Sequence, residues 1–244
     1  MKVHVANRMA LLLAVMAAGS LIAGCSPKSL VSTSQEVDVG RQAAAQVEAQ
    51  YPVSRDPKLN QLVNDVGHTI LRYTTPRPGI QYTFKVLDIS DINAFSLPGG
   101  WVYVDKGLID ATHGSVNEVA GVIAHEIGHV QARHAAEMMG REEIYGIAIG
   151  TLTKGNTAQW ASVFANLNLL HYSREDEYQA DRLAVDYLLP SPYNPQGLID
   201  FFEYLLARQG EGHTPQFLRT HPLTRDRITR LQAYLNQKRA QMGR

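Results

Sequence analysis

Three histidines and a glutamate in the segment AGVIAHEIGHVQARH, which begins at Ala120, have the types and spacing of a metal site. On an α-helix, residues four apart lie on one face, so His125 and His129 point the same way. Both imidazoles can then reach one ion at the usual zinc–nitrogen distance of about 2.0–2.1 Å. Glu126 is the next residue round the helix, where a general base is needed. This His-Glu-x-x-His pattern predicts a zinc hydrolase; the alternative is a chance match on an amphipathic helix.

A catalytic zinc ion normally has three protein ligands and one open position, so a third ligand must come from elsewhere in the chain. Cys25 is the only cysteine, and the site therefore has no thiolate ligand. His134 lies nine residues from His125, and an unbroken helix places it on the opposite side. The metzincin pattern, which breaks the helix at a glycine and adds a histidine, is excluded because Ala132 and Ala135 stand at those positions.

The segment YSREDEYQAD, Tyr172 to Asp181, offers a better source of the third ligand. Glu177 and Asp181 are four residues apart and share one face of a predicted helix. Glu177 could ligate the metal, and Asp181 could accept the second N–H of a ligand histidine, which fixes the tautomer of that ring. The alternative is a solvated acidic helix face, and the spacing alone does not decide between them.

The first 24 residues are predicted to be a signal peptide rather than part of the fold. Lys2 and Arg8 precede a short apolar run that ends in LIAGC, Leu21 to Cys25. Small residues before a cysteine resemble a bacterial lipobox, which predicts cleavage before Cys25 and a lipid on its thiol; a plain secretory signal is the alternative. Residues 25–32 then form a polar tether, and residues 33–244 form one domain, because about 220 residues are ample for one core.

The composition excludes nucleic acid as a partner. Lysine and arginine total 23, aspartate and glutamate also total 23, and no basic block is present. The apolar runs are too short or too often interrupted for a membrane span.

The candidate residues must be positioned by helices and strands, and the sequence pattern of these elements predicts an α+β fold that is mainly helical, with a small antiparallel sheet. The central helix is predicted from about Ser115 to Gly140. The stretch NAFSLPGGWVYVDKG predicts two short strands around a Pro-Gly-Gly turn just before that helix. A further strand is predicted in IQYTFKVLD, and the other helices are predicted at 33–50, 56–73, 158–170, 174–189, 195–209 and 224–239.

Four blocks of the sequence resemble one zinc metallopeptidase family, which includes HtpX, the CAAX prenyl proteases and the periplasmic proteins LoiP and BepA. The blocks are NAFSLPGGWVYVDKGLI, EVAGVIAHEIGHVQARH, YSREDEYQADRLAVDYL and THPLTRDRI. The resemblance runs from about Glu36 to the C-terminal helix. Within this family, the chain resembles the small lipoprotein form, which lacks the transmembrane segments or helical repeats of other members.

The resemblance implies a gluzincin-type fold and one zinc ion per chain, with Glu177 as the third ligand, Glu126 as the base and Asp181 as a partner behind a ligand. Gln179 departs from the acidic residue common at its position. The implied activity is endopeptidase hydrolysis of polypeptides such as misfolded envelope proteins in the periplasm. Ser26 rather than aspartate follows Cys25, which by resemblance to lipoprotein sorting implies the periplasmic face of the outer membrane. The alternatives are a tethered chaperone-like or binding module with a structural or restrained zinc site, and a zinc hydrolase that acts on another bond.

Two further segments are predicted to face the site. An edge strand that includes Asn93, Ala94 and Phe95 could pair with an extended peptide through main-chain bonds, with Asn93 exposed toward the substrate; ordinary sheet core is the alternative. His221 precedes Pro222 and is predicted in one of three roles: a surface turn, a donor to the oxyanion, or a fourth metal ligand that holds the enzyme shut. Arg227 could brace the loop by pairing with a carboxylate of the cleft.

Overall fold

The computed structural model describes residues 27–149, 157–166, 171–209 and 214–243. The predicted signal peptide and Cys25 lie outside the described residues. Within the described residues, every helix is too short or too polar to cross a bilayer.

The described residues are mostly helical, with one small sheet, which confirms the predicted fold class. The helices are α1 (Thr33–Gln50), α2 (Pro57–Leu71), α3 (Lys106–Ala111), α4 (Val116–Ala132), α5 (His134–Ile149), α6 (Thr157–Ala165), α7 (Arg174–Leu188), α8 (Gln196–Ala207), α9 (Gln216–Thr220) and α10 (Arg225–Gln241). The strands are β1 (Thr83–Leu87), β2 (Ala94–Leu97) and β3 (Trp101–Asp105), and a short 3-10 helix spans Pro27–Leu30.

The sheet has the order β1-β3-β2, so β2 is an edge strand, as predicted. β2 and β3 form the predicted antiparallel hairpin, whereas β1 and β3 are parallel, and the sheet is therefore mixed. Helices pack on both faces of this sheet. One hydrophobic core contains residues of α2, α4, α7, α8 and α10, and a second contains residues of α1, α5 and α6.

Two glycines allow the central helix α4 to approach its neighbours closely. A Cβ atom at Gly128 would lie 3.0 Å from the carbonyl oxygen of Ala180 in α7. A Cβ atom at Gly121 would lie 2.6 Å from the backbone nitrogen of Leu198 in α8, which is too close for any other residue. The backbone of α4 is therefore held directly against α7 and α8.

The predicted single helix from Ser115 to Gly140 is wrong, because the chain breaks between α4 and α5. Arg133 adopts a left-handed conformation with φ of 65°, which is uncommon for a residue with a side chain. The guanidinium of Arg133 donates from Nε to Glu36 at 2.8 Å and also donates to the carbonyl of Val31. These bonds offset the strain, and a helical pattern in the sequence cannot reveal them.

The end of the predicted tether also differs from the prediction. The 3-10 helix Pro27–Leu30 packs against α5, where a Cβ atom at Gly140 would lie only 2.0 Å from the carbonyl oxygen of Pro27. Val31 is buried in the second core. The chain is thus already part of the packed domain before Ser32, which caps α1 with Gln35 in a capping box.

Candidate metal centre and active site

Helix α4 carries both histidines and the glutamate of the motif, and all three side chains are buried. Ser115 caps the start of the helix, and the periodicity of an unbroken helix between residues 116 and 132 places His125 and His129 on one face. The Nε2 atoms of the two rings are 3.0 Å apart. The predicted pairing of His125 with His129 is therefore present.

Helix α7 brings Glu177 to the same point. Its carboxylate oxygens lie 3.6 Å from Nε2 of His125 and 3.5 Å from Nε2 of His129. Glu177 is 1% exposed and Asp181 is 2% exposed, so the alternative of a solvated acidic face is wrong. Asp176, one residue before Glu177, instead completes the capping box with Ser173 at the start of α7.

His221 follows the short helix α9 and is buried, so the alternative of a surface turn is wrong. Its Nδ1 atom lies 2.9 Å from Oε1 of Glu177 and 3.4 Å from Nε2 of His125. Phe217 stacks on the imidazole with ring centroids 4.5 Å apart, and the backbone N–H of His221 donates to the carbonyl of Phe217 at 2.8 Å. These contacts hold the ring over the centre.

The four groups have the geometry of a metal-binding cluster. The candidate ligand atoms of His125, His129, Glu177 and His221 all lie within 4.8 Å of one another. Ligands about 2.0–2.1 Å from a tetrahedral ion would be about 3.3–3.4 Å apart, and several of the observed separations are near that value. Three imidazoles and a carboxylate are also a donor set that zinc accepts. The residues therefore fit the predicted ion.

Behind this group, Asp181 and Arg227 form a buried ion pair. Arg227 donates from Nε and Nη2 to the two oxygens of Asp181 at 2.6 and 2.8 Å, and its Nη1 lies 2.5 Å from Glu177. The predicted pairing of Arg227 with a carboxylate of the cleft is thus present. Asp181 Oδ1 also lies 2.9 Å from Nδ1 of His125, although the N–H of the ring is poorly aligned for a hydrogen bond.

Charges in this cluster compete with burial in setting protonation. Burial alone would raise the pKa of the Glu177 carboxyl, but Arg227 and His221 lower it well below its usual value. The pKa of Asp181 is lowered in the same way by Arg227. Burial lowers the pKa of His129 well below its usual value, so this imidazole is neutral and has a lone pair for a metal. For His221, burial is outweighed by the charges of Glu177 and Glu126, and its pKa is raised.

The general base predicted from the sequence is supported by a residue of the edge strand. Ser96 donates from its hydroxyl to Oε2 of Glu126 at 2.9 Å. The other oxygen, Oε1, accepts no hydrogen bond from the described residues and lies 3.4 Å from Nε2 of His221. Glu126 therefore has one oxygen fixed and one oriented toward the centre.

The prediction that Asn93 is exposed toward the substrate is wrong. Asn93 is fully buried, and neither amide atom has a hydrogen-bond partner among the described residues. Side chains alternate along a strand, so Asn93 and Phe95 lie on the face of the sheet opposite Ala94 and Ser96. Ala94 and Phe95 are also buried, main chain included, so the predicted contact of this strand with a substrate requires the segments that cover it to move.

Two residues that contact His129, Tyr172 and His134, were not predicted from the sequence as its neighbours. The ring of Tyr172 stacks on His129 with centroids 4.0 Å apart, and burial raises the pKa of its phenol, which stays protonated. His134 lies outside the ligand group, as predicted, but its Nδ1 atom is 2.8 Å from Nδ1 of His129 because the helix breaks at Arg133. Ser96 was also missed; the alternation of the predicted strand puts it on the face opposite Asn93 but does not say which face meets α4.

Comparison with known proteins gives relatives over most of the chain. The chain is 27% identical to the beta-barrel assembly-enhancing protease of Escherichia coli over 234 residues, which are 88% of this chain and 47% of that protein. It thus spans about half the length of that relative. It is 26% identical to metalloprotease YcaL of Escherichia coli over 89% of this chain and 93% of YcaL, and 28% identical to metalloprotease LoiP over 70% of this chain and 66% of LoiP.

The family model that matches is that of peptidase family M48, over residues 54–235. The matched range includes the two histidines and the glutamate of α4, the acidic residues of α7, and the loop of His221. The resemblance seen in the sequence is confirmed, and the chain belongs to peptidase family M48.

Proposed function

We propose that this protein is a zinc endopeptidase that hydrolyses polypeptides in the bacterial envelope. The observation that carries the proposal is the buried group of His125, His129 and Glu177 with Glu126 directly beside it. A structural zinc site needs no carboxylate base next to the metal, whereas a hydrolytic site does. Two relatives that match most of this chain are named as proteases, which supports the reaction class.

When bound, zinc would supply a Lewis acid and lower the pKa of a water molecule to about 7. The residues of the chain account for the other parts of the reaction. Glu126 Oε1 accepts no hydrogen bond from the part of the chain that the structure describes, and it can take a proton from the attacking water and deliver it to the leaving amine. Ser96 keeps the second oxygen of that carboxylate in place. Asp181 and Arg227 fix the orientation of His125 and Glu177.

The substrate is proposed to lie as an extended peptide along β2, the last strand of the sheet, once the segments that bury this strand have moved. Main-chain pairing there would give broad sequence tolerance and would place the scissile bond near Glu126, because Ser96 of the same strand contacts that residue. A proline in place of Ala94 or Ser96 should impair cleavage without loss of zinc. Unchanged kinetics in both variants would count against this binding mode.

A restrained form of the enzyme is the second candidate, and the position of His221 favours it. Its Nδ1 atom stands among the ligand atoms, where the fourth position of a catalytic zinc site is normally open for water. The loop must then move before a substrate is hydrolysed. His221→Ala should raise the rate if the ring closes the site and should lower it roughly 10²–10³-fold if the ring donates to the oxyanion. Wild-type activity and zinc affinity would reject both roles.

The decisive experiment is digestion of casein, or of a denatured envelope protein, by the purified protein with and without a chelator. Glu126→Gln is the matched variant, because it keeps the size of the side chain and removes the base. We expect about one zinc ion per chain, and Glu177→Ala should lose it. A Glu177→Ala protein with full zinc occupancy would overturn the ligand assignment, and chelator-resistant cleavage would overturn the reaction.

The location is proposed from the leader sequence. Cys25 would carry lipid, and Ser26 rather than aspartate follows it, which favours the periplasmic face of the outer membrane. Misfolded envelope proteins are the proposed substrates, consistent with the name of the relative that enhances β-barrel assembly. Cys25→Ala should release soluble protein; a variant that still fractionates with membranes would show that the anchor lies elsewhere.

A further inference from the structure

His129 is in contact with a polar chain that leads away from the ligand group to the protein surface. Nδ1 of His134 lies 2.8 Å from Nδ1 of His129, and Nε2 of His134 lies 3.2 Å from Oε1 of Gln179. His129 and His134 are each 1% exposed, whereas Gln179 lies at the surface of α7. The chain thus connects a candidate metal ligand, through one buried imidazole, to a neutral amide.

The break between α4 and α5 is what makes this contact. On an unbroken helix, His134 would point about 140° away from His129, because each residue advances 100°. The left-handed conformation of Arg133 turns the chain back so that the first residue of α5 reaches the ring of His129. Tyr172 then packs on both imidazoles, with ring centroids 4.0 Å from His129 and 6.0 Å from His134.

The tautomers along the chain follow from one another. Nε2 of His129 faces the other ligand atoms, so its lone pair would bind the metal and its proton would lie on Nδ1. That N–H can donate only if Nδ1 of His134 is unprotonated. The single proton of a neutral His134 then lies on Nε2, where the carbonyl oxygen of Gln179 accepts it. Each group in the chain has the partner that its neighbour requires.

We propose that His134 is a positioning residue of the metal centre, which accepts the Nδ1 proton of His129 and thereby holds Nε2 of that ring toward the ion. Gln179 selects the tautomer of His134. The inference rests on the proposed zinc centre, and it makes the two ligand histidines different in the residues that support them. His125 is backed by the carboxylate of Asp181, whereas His129 is backed by a neutral imidazole, so the second support adds no negative charge.

A competing arrangement would pair His134 with Asp176 instead. Oδ1 of Asp176 lies 3.7 Å from Nε2 of His134, within the range of an ion pair. The other oxygen, Oδ2, accepts from the backbone N–H of Ser173 at 3.0 Å and from its hydroxyl at 2.7 Å, which ties the carboxylate to the start of α7. An imidazolium held by Asp176 would carry protons on both nitrogens and could not accept from His129.

The first test reads the tautomers directly. Long-range ¹H–¹⁵N spectra of the ¹⁵N-labelled, zinc-loaded protein, with His134→Asn used to assign the ring, should show His134 protonated on Nε2 only and His129 protonated on Nδ1. A His134 ring protonated on Nδ1, or on both nitrogens, overturns the proposal. No peptide hydrolysis is needed, so an inactive protein with these tautomers would refute the proposed function and leave this inference intact.

The second test measures the rate at which zinc leaves each variant for a chelator. His134→Phe keeps a ring but removes the acceptor, and zinc should dissociate roughly 10–100-fold faster. His134→Asn keeps an acceptor near the position of Nδ1 and should restore the rate to within about threefold. Tyr172→Phe keeps the packing on both rings and should leave the rate unchanged. A wild-type rate in His134→Phe, or an equal increase in Tyr172→Phe, would contradict the proposal.

Discussion

Asp181 and Asp105 are both 2% exposed, yet their pKa values shift in opposite directions. Asp181 lies in the metal centre, where burial would raise its pKa but Arg227 lowers it below the usual value. Asp105 lies at the end of β3, where burial and the nearby charge of Asp91 raise its pKa to about 8, and its Oδ1 has no hydrogen-bond partner among the described residues.

The difference shows that the partner, rather than the depth of burial, decides whether a buried carboxyl is charged. A buried carboxylate with a bidentate arginine keeps its charge and can orient a ligand histidine. Asp105, which forms no ion pair among the described residues, takes up a proton instead. In the metal centre, the carboxylates of Asp181 and Glu177 therefore keep their negative charge although they are buried, because Arg227 lowers their pKa values.

Of the substitutions that test this contrast, removal of Arg227 should lower the stability of the protein most. Arg227→Met leaves Asp181 and Glu177 buried without their cation, and we expect the free energy of unfolding of the metal-free protein at pH 7 to fall by about 3–5 kcal/mol. Urea denaturation measures it. The matched control is Arg230→Met, one turn further along α10, where the exposed pair with Asp226 contributes less than about 1 kcal/mol. Equal losses in the two variants would contradict the argument.

Asp105→Asn should change stability in the opposite direction. Because the folded-state pKa is raised, the folded protein binds a proton that the unfolded chain releases above pH about 4, and stability falls as the pH rises from about 4 toward 8. In the variant, the free energy of unfolding should not show this fall between pH 4 and pH 8. It should exceed that of the wild type by about 2 kcal/mol or more at pH 8, with little difference at pH 4. Asp88→Asn, at the exposed end of β1, is the control. A destabilised variant at pH 8 would refute the assignment.

Asp181→Asn tests the function of the charged member of the pair. The substitution keeps the shape but removes the charge that faces His125, and zinc affinity should fall roughly 10–100-fold. Competition with a chromogenic chelator gives the affinity. An unchanged affinity would mean that the contact between Asp181 and His125 does not support the metal.

Ser96→Ala is expected to have the smallest effect and extends the contrast to Glu126, a buried carboxylate with a neutral donor. Loss of one hydrogen bond of about 1 kcal/mol should lower kcat roughly 3–10-fold, with zinc content unchanged. Ser96→Thr keeps the hydroxyl and should recover most of the rate. If Ser96→Ala instead loses zinc, the residue acts on the fold rather than on the base.

The sequence was informative where a contact depends on helical spacing. His125 and His129, and Glu177 and Asp181, are each four residues apart, so the fold class and the side-chain faces of the centre could be predicted from periodicity. The choice of Glu177 over a solvated acidic face needed the resemblance to a family. The capping of α2 by Asp56, with Pro57 in the first turn, was also predictable from local rules.

Contacts that depend on tertiary compensation were not predictable. The left-handed Arg133 is stabilised by Glu36, which is 97 residues distant in the chain, and its effect on His134 could not be seen in a local pattern. The exposure of Asn93 was predicted wrongly because alternation gives the two faces of a strand without saying which of them meets α4. The parallel pairing of β1 with β3 likewise depends on how the loop between β1 and β2 crosses the sheet.

The glycine contacts of α4 have a consequence for which ions the centre accepts. Gly128 lets the backbone of α4 approach Ala180 of α7 to main-chain contact, so the helices that carry His125, His129 and Glu177 hold their ligand atoms close together, at the spacing that a small ion needs. Such a frame favours ions with short bonds to nitrogen and oxygen, such as zinc, and discriminates by size against calcium, whose bonds to oxygen are about 2.3–2.6 Å. Selectivity then resides in the spacing of two backbones as much as in the chemistry of the ligands.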